Sequence, residues 1–486
     1  MGGTIVPQYP LAVNLPDLPT PFPLQGGGER EQLDFLWLPG ILPVPCTRQV
    51  GPRHPEEVAL EHPTPALQAD APEKGISVIA LLKLTLVFAG IVILLSRKWN
   101  LGLVLLLASV AVGLLFAYPL PEIMRDILLT TVDLLTLRLA LAVVLIMTLS
   151  ELLRQTAGLK GMVEALQALI PNGRIVIAVL PALVGLLPMI GGAMFSAPMV
   201  DEVGERLGVS RERKTFVNYW FRHIWEYVFP LYPSMMLAAA LLGLTTTQLA
   251  EATWPLTVAA VVGGLLFGLL GLPRRGANDQ PPTLRAQSLR TLATSVWPIV
   301  LVITLSLTLP VDERLNLILS VLVTIALMMM VKHIPLRDLG AVLRERIPWQ
   351  TVVVIFGALI FRHVLDTSGA VLAVSDALTD LHIPLVVVAF VVPFIAGLLT
   401  GVSAAAFSIG FPVILPLLVV GRGTIAPAWV TWLMAGGFLG VMFSPVHLCL
   451  ALTRVYFGAE WGPVYRLIAP SALLVAGTAG GILLLS

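Results

Sequence analysis

From about residue 77 onward the chain runs in apolar blocks separated by short polar segments. A bilayer core needs about 20 apolar residues per helix. Blocks near 77–96, 101–118, 134–153, 216–245, 254–272, 293–309, 313–331, 349–365, 427–450 and 464–485 therefore predict about ten crossings. Two further apolar stretches, 174–200 and 384–412, carry Pro and Gly at their centres. Broken backbone at membrane depth is tolerated only where protein or a wet cavity surrounds it, so each reads as a re-entrant hairpin rather than a straight span. The expected fold is an all-α polytopic membrane protein with about ten transmembrane helices plus two re-entrant hairpins in two inverted repeats.

A shift of 212 residues carries the repeat. It aligns Pro181, Gly185, Leu186, Leu187, Ala193, Phe195 and Ser196 with Pro393, Gly397, Leu398, Leu399, Ala405, Phe407 and Ser408. Shared apolar composition would not align Pro, Gly and Ser. Upstream, Glu164, Ala165 and Leu166 match Asp376, Ala377 and Leu378. About five crossings and one hairpin per half turn the second copy upside down. The expected organisation is a leader at 1–75, a first inverted repeat at 76–272, a cytoplasmic linker at 273–292 and a second inverted repeat at 293–486. Lys and Arg collect on one side of this drawing, from Arg97 and Lys98 through Arg211, Arg213 and Lys214 to Arg454 and Arg466, which makes that side cytoplasmic.

Composition agrees. The chain is 57% hydrophobic and 12% charged, where a soluble domain carries roughly a quarter charged residues. A net charge of +1 with no long basic block argues against nucleic-acid partners. Residues 1–75 are Pro- and Gly-rich, lack a span and lack the basic and apolar regions of an export signal. They read as a disordered leader, with an over-extended gene model as the favoured explanation. The two cysteines, Cys46 and Cys449, allow no disulfide framework or Cys-rich metal site, and Cys449 reads as a small apolar packing residue. No metal ligand set and no catalytic residue is expected.

The stretch NYWFRHIWEYVFPLYPS, Asn218 to Ser234, is the richest in chemistry. Arg222 and Glu226 stand four apart and can pair, His223 neighbours them, and Pro230 and Pro233 break the helix. Ionisable residues inside a span are costly and mark polar pathways. A self-neutralised anchor is the competing account. The matching break in the second half contains Ser444 and His447. At the hairpin tips, Gly191, Gly192 and Gly401 permit close approach to the backbone, freed helix N-termini favour an anion, and Thr400, Ser403, Ser408 and, in the first half, Ser196 add hydroxyls. Tight helix packing is the competing role for these small residues.

The segments FRHIWEYVFPLYP, GLLPMIGGAMFSAP, and GLLTGVSAAAFSIGFP with FSPVHLCL resemble the integral membrane family known as domain of unknown function 401, over about residues 77–486. That family looks like part of the ion transporter superfamily of gluconate, citrate and dicarboxylate permeases. The resemblance implies an elevator-type carrier, with a scaffold and a mobile transport domain. The tips read PMIGG and TGVS rather than the Ser-Asn-Thr motif of sodium-coupled dicarboxylate carriers, so the resemblance by itself assigns neither sodium coupling nor a dicarboxylate substrate.

The expected function is ion-coupled secondary transport of a small anionic solute across the cytoplasmic (inner) membrane, driven by protons or sodium and without a cofactor. The expected surroundings are the lipid bilayer and, as one form, a homodimer. The alternatives are a membrane-embedded enzyme or a non-transporting scaffold. No HExxH, GxSxG, CxxC or phosphate-loop motif supports an enzyme or an ATP-driven pump.

Overall fold

A computed structural model of the chain describes residues 74–156, 158–189, 191–273, 282–380, 382–418 and 425–486. The expected leader up to residue 73, residues 274–281 of the expected linker and Arg422 lie outside the described residues. All regular elements among the described residues are helices, and eight of them are long and apolar enough to cross a bilayer. These are Ile79–Ser96, Leu134–Gln155, Thr246–Leu269, Ala286–Thr308, Leu315–Lys332, Trp349–Thr367, Pro427–Phe457 and Trp461–Leu485. Large apolar side chains such as Leu82, Leu86, Leu128 and Leu473 stand exposed on the outside, a surface that suits lipid rather than water. The protein is a multi-pass, all-α membrane protein.

Two expected spans take other forms. The block near 101–118 is the 15-residue helix Leu101–Leu115, about 22 Å long against an apolar core of about 30 Å. The block at 216–245 is broken into the helix Arg211–His223, a 3₁₀ turn Ile224–Tyr227, and the helix Pro233–Leu242. The α-helix thus ends at His223, well before Pro230. It opens there because the long neighbouring helix serves the freed carbonyls: Thr257 Oγ1 donates to Ile224 O at 3.1 Å and Thr253 Oγ1 donates to Tyr227 O. With acceptors satisfied by side chains, the unwound turn escapes the usual cost of buried, unpaired backbone.

The order of elements occurs twice. A long helix (Leu134–Gln155 or Trp349–Thr367) is followed by a short one (Gly158–Leu169 or Ala370–Asp380) and then by a helical pair. The pairs are Gly173–Val184 with Ala193–Arg206, and Leu385–Thr400 with Ser403–Leu418. Each pair is succeeded by a helix that breaks, Arg211–Leu242 in one case and Pro427–Phe457 in the other, and by a long closing helix.

Glycine lets the second pair seat against its broken helix. A methyl added at Gly397 would fall 2.6 Å from Gly437 O and 2.8 Å from Val441 N, and one at Gly436 would fall 2.6 Å from Phe390 O. The two backbones therefore touch directly, a packing open only to residues without Cβ.

Candidate functional site

Each helical break supplies side chains that cap the open end of its own helical pair. In the first half, Trp225 Nε1 donates to Ala182 O at 2.8 Å, Tyr232 OH donates to Gly185 O, and Arg222 Nη2 donates to Met189 O at 2.8 Å. In the second half, Ser444 Oγ donates to Leu398 O at 2.7 Å, and His447 Nδ1 lies 2.6 Å from Gly401 O. The carbonyls that a turn leaves without helical partners are thereby satisfied. Gly401 takes φ +65°, and a Cβ there would meet His447 N at 2.7 Å, so only glycine lets tip and break come this close.

The two assemblies meet at a buried polar cluster. Arg222, His223 and Glu226 are all less than a tenth exposed. Ser403, from the second pair, donates to Glu226 Oε2 at 3.2 Å, which joins the second tip to the first break. His447 Nε2 stands 3.1 Å from His223 Nε2, which joins the two breaks. Tyr219 lies against both imidazoles, with ring centroids 4.7 and 5.5 Å away, and its hydroxyl donates to Met442 O at 3.2 Å.

Arg222 is incompletely partnered. Its nearest carboxylate oxygen, on Glu226, is 3.9 Å from Nη1, too far for a hydrogen bond, and Nη1 is 3.4 Å from His223 Nε2. Its Nε has no acceptor among the described residues although it is buried. Gly192 makes room for this guanidinium, since a Cβ at that position would fall 2.9 Å from Nε. Gly191, at φ +69°, forms the preceding turn.

The other expected residues divide into two groups. Ser196 and Asn218 form a buried tie: Ser196 Oγ donates to Asn218 Oδ1 at 2.6 Å, and Asn218 Nδ2 donates to Ala193 O at 2.9 Å and Thr453 Oγ1 at 3.2 Å. That tie has its partners and serves to hold the Ala193–Arg206 helix. Thr400 and Ser408 are not brought into the cluster by hydrogen bonds. Their hydroxyls donate to carbonyls four residues back, Ala396 O at 2.7 Å and Ala404 O at 2.6 Å, as Ser and Thr in apolar helices often do.

Three members were not expected as site residues: Tyr219, Thr453 and Cys449. Cys449 is buried, as an apolar packing residue would be, but its sulfur lies with the two imidazoles, all three donor atoms being within 4.8 Å of one another. The spacing His447-x-Cys449 at a helix start was the available signal.

A family described as "Protein of unknown function (DUF401)" matches residues 77–484, nearly the whole chain beyond its first 76 residues. No curated protein matches the chain.

Proposed function

The chain belongs to the DUF401 family, and we propose that within it this protein is a secondary active transporter of a small anionic solute, with the solute bound at Arg222 between the two helical tips. The observation that carries the reading is a buried guanidinium whose Nε lacks an acceptor among the described residues, where both tips and both breaks converge. A buried, unsatisfied donor on a cation costs several kcal/mol. A carboxylate or other oxyanion offers the missing acceptor and charge together. Met189 O and the Gly192 backbone set the direction from which it approaches Arg222.

The further parts of the reading follow from the doubled element order. We take the two halves to be inverted repeats, the helical pairs to be re-entrant hairpins, and the fold to be that of an elevator-type carrier of the ion transporter superfamily. Helices of 12 and 16 residues at the first arms of the pairs are too short to span an apolar core of about 30 Å, and interrupted segments at matching positions mark transporter binding sites. An ion gradient supplies the driving force.

The test is ligand stabilisation of the purified protein by a panel of small carboxylates, phosphate and sulfate, followed by counterflow exchange in proteoliposomes for any anion that binds. At about a hundred times its Kd a true ligand stabilises by roughly 2.7 kcal/mol. The shift and the exchange should both vanish in Arg222→Gln. If Arg222→Gln responds to the same anion as strongly as the parent, the site is not at Arg222.

A further inference from the structure

The two histidines of the cluster are held alike. Nδ1 of His223 lies 2.6 Å from Tyr219 O, and Nδ1 of His447 lies 2.6 Å from Gly401 O. A carbonyl oxygen only accepts, so each Nδ1 carries the hydrogen and each neutral ring presents its lone pair at Nε2. The two Nε2 atoms stand 3.1 Å apart. Two lone pairs facing one another at that distance repel unless a cation lies between them. The Cys449 sulfur supplies a third donor, with all three donor atoms within 4.8 Å.

We propose that His223, His447 and Cys449 form a three-donor site for a monovalent, thiophilic d10 cation of the copper(I) kind. Around an ion with metal–nitrogen bonds of about 2.0 Å and metal–sulfur bonds of about 2.3 Å, ligand atoms stand about 3.3–3.7 Å apart. The nitrogens have to part by a few tenths of an ångström, and the sulfur has to close by at most about 1.5 Å. Carbonyl oxygens on both Nδ1–H groups provide the outer-shell bonds that orient metal-binding imidazoles.

Ligand type and charge select the ion. Thiolate with imidazole suits soft cations. The charged groups facing the donors are Arg222, whose Nη1 is 3.4 Å from His223 Nε2, and Glu226, whose Oε1 is 3.7 Å from the same atom. Their charges cancel. On binding, the Cys449 S–H bond breaks, its proton leaves to solvent, and a sulfur–metal bond forms with no change of oxidation state. A monovalent ion therefore leaves the net charge of the cluster unchanged, whereas a divalent ion adds one uncompensated positive charge in a poorly polarisable interior. The long Arg222 contact on His223 is the interaction the ion displaces. The inference stands on the donor geometry and is independent of solute transport.

The test uses the full chain with Cys46→Ser, so that Cys449 is the remaining thiol, purified anaerobically and titrated with copper(I) against an equimolar colorimetric chelator. One equivalent should be retained, and X-ray absorption at the copper edge should show one sulfur at about 2.3 Å with two imidazole nitrogens at about 2.0 Å. Cys449→Ser should abolish retention, and His447→Asn should weaken it about tenfold or more. A sulfur-only shell in the parent protein overturns the site, whatever the variants' folding. Loss of all copper to the chelator also overturns it and leaves a proton between the rings, and preferential retention of zinc overturns the monovalent assignment.

Discussion

Replacing Gly401 by alanine isolates the contact that seats the second tip on its helical break. The residue holds φ +65°, where an L side chain costs about 1–2 kcal/mol. The new methyl would also lie 2.7 Å from His447 N, 2.8 Å from its Cα and 3.0 Å from Val446 C. All three are backbone atoms that no rotamer change can move. Overpacking of this kind adds about 1–3 kcal/mol, for a total near 2–5 kcal/mol. Gly208 is the natural control, since it has the same φ of +65° with nothing within 4 Å of an added Cβ. Gly208→Ala should therefore cost the conformational part alone, and the difference between the variants measures the contact. Equilibrium unfolding in mixed micelles of rising dodecyl sulfate fraction, followed by tryptophan fluorescence, reads that difference. Gly401→Ala should unfold at the lower fraction, and its copper(I) retention should fall because His447 is pushed from Gly401 O. If both variants unfold together, the tip does not press on the break as described.

Ser403→Ala removes the donor to Glu226 and should lower stability by about 1–3 kcal/mol, together with the anion-induced shift in thermal midpoint; Ser408→Ala, whose hydroxyl returns to its own helix, should leave both unchanged. Lys214 is buried with Asp201 at 2.6 Å and Glu205 beside it. Burial acts to lower its pKa, but the two carboxylates outweigh it and raise the value above that of a free lysine, so this stabilisation is full below about pH 10.4 and fades as pH climbs through the raised value. Removing both carboxylates in Asp201→Ala/Glu205→Ala strands a largely buried cation and should cost about 1–3 kcal/mol, more than Lys214→Met, in the same unfolding assay; equal costs would refute the burial argument.

Much of the fold was legible because membrane helices announce themselves by composition. The two interrupted stretches were legible because Pro181, Pro393 and the tip glycines stand where a straight span would not place them. The position of the first break was not, because its cause lies in Thr253 and Thr257, on another helix, and nothing local to Ile224 records that they will serve its carbonyls. Arg222, His223 and Glu226 were found as neighbours in sequence. The meeting of His223 with His447 across 224 residues required the fold. That the Thr400 and Ser408 hydroxyls donate within their own helices was likewise not legible, because a hydroxyl near a tip looks available in the sequence. The approach of Cys449 to the two imidazoles was not legible either, since burial suits a packing residue and a ligand equally well.

The glycine seam between Leu385–Thr400 and Pro427–Phe443 bears on how the second half can move. Where Gly397, Gly436 and Gly440 bring main chain against main chain, there are no rotamers to exchange at those contacts. Helices that slide do so by repacking interdigitated side chains in small steps, and at the glycines this seam leaves that exchange only to flanking pairs such as Phe390 with Trp432. The two helices are therefore expected to travel as a single stiff beam. Bending is left to the connections that lack helical hydrogen bonding, Gly401–Val402 after one helix and Ser444–His447 after the other, side by side at the same end of the beam. Both lie beside the polar cluster, so a ligand that rigidifies the cluster stiffens the joints as well.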